Sequence, residues 1–117
     1  MVTNLSFIKK AIAFEEAEEQ PHFEKRSFRI NKKIFATLNE PKRSITVKLA
    51  PLDQSVFCSY KKDIIYPATG NWGKQGWTII DLTKIPTAML DDVLTTAYCT
   101  VAPRRLADKY REGSREA

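Results

Sequence analysis

The chain has 117 residues, 43% of them hydrophobic and 28% charged, with four Gly and six Pro, a composition that fits one folded domain and excludes a disordered or low-complexity segment. No stretch approaches the roughly 18 apolar residues of a membrane-spanning helix, and Met1 to Ala13 lacks the charged-then-apolar order of a secretory leader, so a cytoplasmic protein is expected. The net charge of +5 is uneven: residues 25–62 carry ten basic side chains against Glu40 and Asp53, a local +8, whereas residues 1–24 stand at −3.

Leu5, Ile8 and Ile12 recur at three- and four-residue steps and predict an amphipathic helix over residues 4–13, capped by Thr3 or Asn4. Phe14 to Gln20 carries four glutamates and stops at Pro21, which reads as a turn or a frayed second helical piece. From Ser27 the period becomes two. Phe28 and Ile30 alternate with Arg29; after Asn31-Lys32, Ile34, Ala36 and Leu38 alternate with Phe35 and Thr37. Asn tolerates positive φ, so Asn31-Lys32 predicts a two-residue hairpin turn. A second turn over residues 39–43 leads to Ile45, Val47 and Leu49, completing a three-stranded meander.

Pro51 and Asp53 mark the start of a short helix over residues 51–60, with Leu52, Val56 and Tyr60 as its apolar stripe. Ile64 to Tyr66 predicts a brief strand, Ala68 to Gly76 a loop holding three of the four glycines, and Trp77 to Leu82 a further strand. Pro86 opens the clearest helix, with Leu90, Val93, Leu94, Ala97 and Tyr98 on one face. Pro103 opens a last helix to about Tyr110, and residues 111–117 read as a polar tail after a single domain over 1–110. The order α-β-β-β-α-β(β)-α-α predicts an α+β fold, an antiparallel sheet with helices packed on one face.

Little in the sequence points to catalysis. His22 is the single histidine, and neither Cys58 nor Cys99 sits beside a His or in a CxxC pair, so reduced thiols are expected and no nucleophile. The same residues offer no zinc spacing, Glu15 to Glu19 reads as a solvated acidic face, and the glycine loop precedes a strand rather than a helix, so it is no phosphate loop. No enzyme, metal or cofactor is expected.

The basic segment is more informative. Arg29, Lys32, Lys33, Lys42, Arg43, Lys48, Lys61 and Lys62 fall on or beside predicted hairpins, where cations contact phosphates and position a nucleic acid without reading its sequence. Trp72 and Lys74 in the glycine loop supply an aromatic for stacking and a further cation, with a packed loop anchor as the simpler role for Trp72; Arg104 and Arg105 extend the basic surface. Trp77 is expected to pack in the core. The expected partner is DNA, bound without strong sequence preference, and the alternative is a protein- or small-anion-binding module using the concave sheet face near Lys33 and Lys48.

Four segments fall in one order: Ser27-Phe28-Arg29-Ile30-Asn31-Lys32-Lys33-Ile34-Phe35-Ala36, Ile45-Thr46-Val47-Lys48-Leu49, Gly76-Trp77-Thr78, and Ala97-Tyr98-Cys99-Thr100-Val101-Ala102-Pro103-Arg104-Arg105-Leu106. Together they resemble the MmcQ/YjbR family of small bacterial proteins, from Leu5 to about Tyr110. The resemblance implies a CyaY-like α+β fold and DNA binding through a double wing, and it matches Phe28, Lys33, Phe35, Lys48 and Trp77. Frataxins, which share the CyaY-like fold, bind iron on an acidic ridge of the first helix; here that helix carries Lys9 and Lys10 and no acid before Glu15.

Overall fold

The computed structural model describes residues 2–116, with side chains as far as Arg111. The elements are α1 (Asn4–Ile12), β1 (Glu18–His22), β2 (Lys25–Ile30), β3 (Lys33–Asn39), β4 (Ser44–Lys48), α2 (Pro51–Cys58), β5 (Ile65–Pro67), α3 (Gly70–Lys74), β6 (Trp77–Asp81), α4 (Thr87–Val101) and α5 (Arg104–Glu116). The six strands form one antiparallel sheet in the order β1-β2-β3-β4-β6-β5. The α+β class, the meander and the strand pair around the glycine segment are as the sequence predicts.

The core lies between one face of this sheet and the helices. Phe28, Ala36, Leu38, Ile45, Val47 and Ile80 point from the strands into it, and Phe7, Leu90, Val93, Leu94 and Tyr98 meet them from α1 and α4. Phe7 packs edge-on against Phe28 with ring centroids 5.3 Å apart, which fixes α1 over β2. Phe14 stacks on Tyr98 at 4.7 Å and meets Phe35 and Tyr110, so one aromatic cluster ties the end of α1 to β3, α4 and α5.

Several local expectations change. The polar segment Glu18–His22 is an edge strand, not a turn or helix: its backbone pairs with β2, and its exposed charged side chains carry no apolar signal. In α1 the buried residues are Phe7, Ile8 and Ala11, while Leu5 is 61% exposed, because the sheet meets the helix on the Phe7 side. Helix α2 ends at Cys58, so Tyr60 lies beyond it; Leu52, Val56 and Tyr60 are all exposed, and Phe57 and Cys58 make the core contact of α2. Gly70–Lys74 forms the short helix α3 within the predicted loop, and α5 runs on to Glu116 through the segment expected to be a tail.

One irregularity decides what the other sheet face looks like. Phe28 pairs with Ala36, but Arg29 pairs with Ile34, so Phe35 is an extra residue bulged into β3. Phe35 therefore turns into the core beside Ala36. Ile34, expected on the same face as Ala36, crosses to the opposite face with Arg29.

Candidate functional site

Among the described residues, no helical layer covers the centre of the sheet face opposite α1 and α4. Its side chains follow from register: Ser27, Thr37, Thr46 and Ile79 form one row across β2, β3, β4 and β6, with Arg29–Ile34 and Lys48–Trp77 in the next. One cleft lies on this face, and a second lies at the β2–β3 hairpin end of the sheet, where it meets the last turn of α4. The first, about 370 Å³, is floored by Thr37, Thr46 and Ile79, walled by Ile34, Trp72 and Trp77, and rimmed by His22 and Lys25 from the β1–β2 hairpin. The second, about 470 Å³, is lined by Arg29, Lys32, Lys33, Ile34, Lys48, Trp77, Thr100 and Val101. Ile34 and Trp77 line both, so an apolar chamber opens directly into a cleft that bears four cations and, among the described residues, no carboxylate.

Each part of this arrangement has a local cause. Asn31 and Lys32 sit at φ 51° and 67°, the left-handed pair that a two-residue hairpin turn demands, and this presents Lys32 and Lys33 at the tip of β2–β3. The Arg29 Nε donates to Ser27 Oγ at 3.0 Å, and the Ser27 hydroxyl donates to the Gln20 carbonyl at 2.7 Å, so a buried serine aims the guanidinium. Lys48 donates to the Gln75 carbonyl, and its ammonium lies 5.3 Å from the centre of the Trp77 ring, a cation–π distance. Trp77 is thus half-buried on the open face rather than a core residue as expected, because β6 turns Thr78 and Ile80 inward instead.

Trp72 is held out by glycine chemistry. Gly76 has φ 103°, and a Cβ there would fall 1.8 Å from the Leu49 carbonyl oxygen; at Gly73 it would fall 2.0 Å from that of Ala68. These close approaches clamp α3 against the sheet, reinforced by Gln54 Nε2 donating to the Gly73 carbonyl at 3.0 Å. Trp72 itself is 63% exposed, so it is not a buried loop anchor.

The sequence-predicted cations separate into groups. Arg29, Lys32, Lys33 and Lys48 converge in the second cleft, and Lys74 lies on α3 beside Gln75, the partner of Lys48. Lys42 and Arg43 occupy the β3–β4 turn at the far end of β3, about 20 Å away for a strand of seven residues. Lys61 and Lys62 precede β5 at that same far end, where Leu82 N donates to Arg43 O and Asp81 N to Ile64 O. Arg104 and Arg105 pair instead with Asp108 and Glu16, the latter through two hydrogen bonds of 2.9 and 3.2 Å. The hydrogen bond from Arg105 holds the Glu16 carboxyl below its ordinary range. None of the other nine cations forms an ion pair among the described residues.

Sequence reasoning missed Ser27, Ile34, Thr37, Thr46, Ile79 and the His22–Lys25 rim. Only the strict period-two pattern of β4 and β6 offered a signal, since it sends Thr46 and Ile79 away from the core. His22 stands at this rim, whereas Cys99 is buried between α4 and α5 with its thiol near the Ala107 carbonyl. Burial pushes both the Cys58 and Cys99 thiols up. Among the described residues no three His, Cys, Asp or Glu side chains gather as metal ligands, and no helix is long and apolar enough to cross a membrane.

Comparison with known proteins bears on the fold and its family. The crystal structure of Deinococcus radiodurans protein DR2400, which carries the family domain DUF419, superposes with a TM-score of 0.75 at 16% identity, over 86% of this chain and 78% of that one. At that identity the likeness is one of fold. No curated protein matches the sequence. The family model described as YjbR matches residues 12–100, which include the bulged β3, the cation-bearing hairpin, the glycine segment and Trp77. The chain belongs to the YjbR family.

Proposed function

We propose that this protein is a non-enzymatic DNA-binding module that holds phosphates along Arg29, Lys32, Lys33 and Lys48. The observation that carries the reading is the convergence of these four cations, from β2, its hairpin turn, β3 and β4, in one cleft with no carboxylate among the described residues. Each phosphate neutralised there releases condensed counterions, so binding is driven mainly by salt release and carries little sequence preference. The DNA-binding role that the family resemblance implies points the same way. Lys42, Arg43, Lys61 and Lys62 then form a second basic end, reached only by a nucleic acid long enough to run the length of β3. Burial raises the thiols of Cys58 and Cys99, the reverse of what a cysteine nucleophile at neutral pH needs.

The test is fluorescence anisotropy with a labelled duplex at salt concentrations between about 50 and 200 mM. Four neutralised phosphates give a log–log slope near −3.6, roughly a 150-fold loss across that range. Lys32→Glu with Lys33→Glu removes most of the binding, whereas Lys42→Glu with Arg43→Glu weakens it less. Equal losses in both pairs would remove the cleft from its central place.

A second reading has its own support. The cleft joins an apolar chamber of about 370 Å³, within the roughly 300–1,000 Å³ of small-molecule sites. A small anion with an apolar body would use both. Thermal stabilisation by one such compound, in the absence of any duplex binding, would favour it.

A further inference from the structure

The apolar chamber has no part in holding phosphates, yet it opens onto the cations that do. We infer that it is a base-stacking subsite and that the preferred partner is single-stranded nucleic acid. This rests on the phosphate-binding reading above and names the form of nucleic acid that the same site takes.

Three features carry it. Trp72 and Trp77 both wall the chamber, one largely exposed and the other half-buried under the Lys48 ammonium, and a tryptophan ring offers a face on which any base stacks. Thr37 and Thr46 stand opposite each other in register on the floor, and neither hydroxyl has a hydrogen-bond partner among the described residues, so both remain open to the edge of a base. The chamber joins the basic cleft through Ile34 and Trp77, which puts the base site and the phosphate site side by side, as in one nucleotide.

A duplex cannot use such a chamber. Its base faces are covered by their neighbours, and only the edges show in the grooves. An unpaired strand exposes the faces themselves and loses little on turning one aside. The open sheet face between the His22–Lys25 hairpin and the Trp72 helix therefore fits a flexible strand, with phosphates at Arg29, Lys32, Lys33 and Lys48 and a base between the tryptophans.

The two tryptophans are the chain's complement, so tryptophan emission, excited beyond the tyrosine absorption band, reports on this site alone. The experiment titrates the intact protein with a mixed-sequence 12-nucleotide single strand, the same strand made abasic, a duplex of equal phosphate count, and inorganic polyphosphate. The expected result is quenching by the single strand only, with affinity at least about 5-fold above that of the duplex. Trp72→Ala, a change at an exposed position, then lowers single-strand affinity by roughly 5- to 150-fold and leaves duplex and polyphosphate binding unchanged. Lys32→Glu with Lys33→Glu weakens every anion.

Equal binding of single strand, abasic strand and duplex without quenching overturns the stacking subsite and leaves the phosphate cleft standing. Binding of polyphosphate alone overturns the nucleic-acid reading as well. No binding of any of the four at 50 mM salt overturns both.

Discussion

At Lys32 the chain places a long cation where a glycine would cost least. Its φ of 67° lies in the left-handed region, which costs an L-residue other than Gly or Asn about 1 kcal/mol. Lys32→Gly relieves that strain and adds a similar entropy to the unfolded chain, so stability should stay within about 1 kcal/mol while anion affinity falls. Denaturant midpoints and anisotropy on the same variant check both halves. The reverse holds at Gly76, where nothing but hydrogen fits against the Leu49 carbonyl. Gly76→Ala should destabilise by about 2 kcal/mol or more and displace Trp72, visible as a changed tryptophan emission. Lysine at the strained position and glycine at the crowded one both serve the open face.

Among the elements, β3 does the most to define the site. Its bulge sends Phe35 inward and Ile34 outward, so one irregular strand supplies both a core anchor and the junction of the two clefts. Phe35 contacts Phe14 and Tyr98, and Phe35→Ala should cost about 3–5 kcal/mol by chemical denaturation. Leu52→Ser with Val56→Ser, on the exposed side of α2, should change stability by no more than about 0.5 kcal/mol at each position. That contrast was not legible in the sequence. Leu52, Val56 and Tyr60 have helical spacing as good as a core stripe, but whether a stripe is buried depends on what lies opposite. The same holds for α1, where Phe7 displaced Leu5 and Ile12 from the buried side, and for β1, whose pairing uses backbone groups that leave no mark in side-chain pattern.

For the molecule as a whole, the aromatic cluster at Tyr98 makes stability depend on pH in the alkaline range. Tyr98 is buried and donates its hydroxyl to the Glu15 carbonyl at 2.7 Å. Burial, aided by the neighbouring Tyr110, pushes its pKa up from 10.0 to about 12. The folded state therefore keeps a proton that the unfolded state releases first. The contribution is intact below pH 10 and is lost between 10 and 12, at up to about 1.4 kcal/mol per pH unit. Denaturant curves across this range should show that decline, and Tyr98→Phe should remove this part of the slope while losing the hydrogen bond to Glu15. Since Tyr98 lines neither cleft, anion binding should be unaffected by Tyr98→Phe at pH 7.

The α+β class, the meander, the Asn31-Lys32 turn and the concentration of positive charge in residues 25–62 were readable from the sequence, because strand alternation, turn chemistry and charge are local properties. Family membership was legible for a similar reason, in short motifs whose order is fixed along the chain. Which cations stand together was not. Lys32 and Lys42 are ten residues apart on adjacent hairpin turns, but antiparallel strands send successive turns to opposite ends of a sheet, so one lines the basic cleft and the other does not. Nor could alternation alone show that Ile34 leaves the core, since a single bulged residue reverses the facing of everything on one side of it. The chamber between Trp72 and Trp77 arises from contacts among β3, β4, α3 and β6, and only the folded sheet brings those segments together.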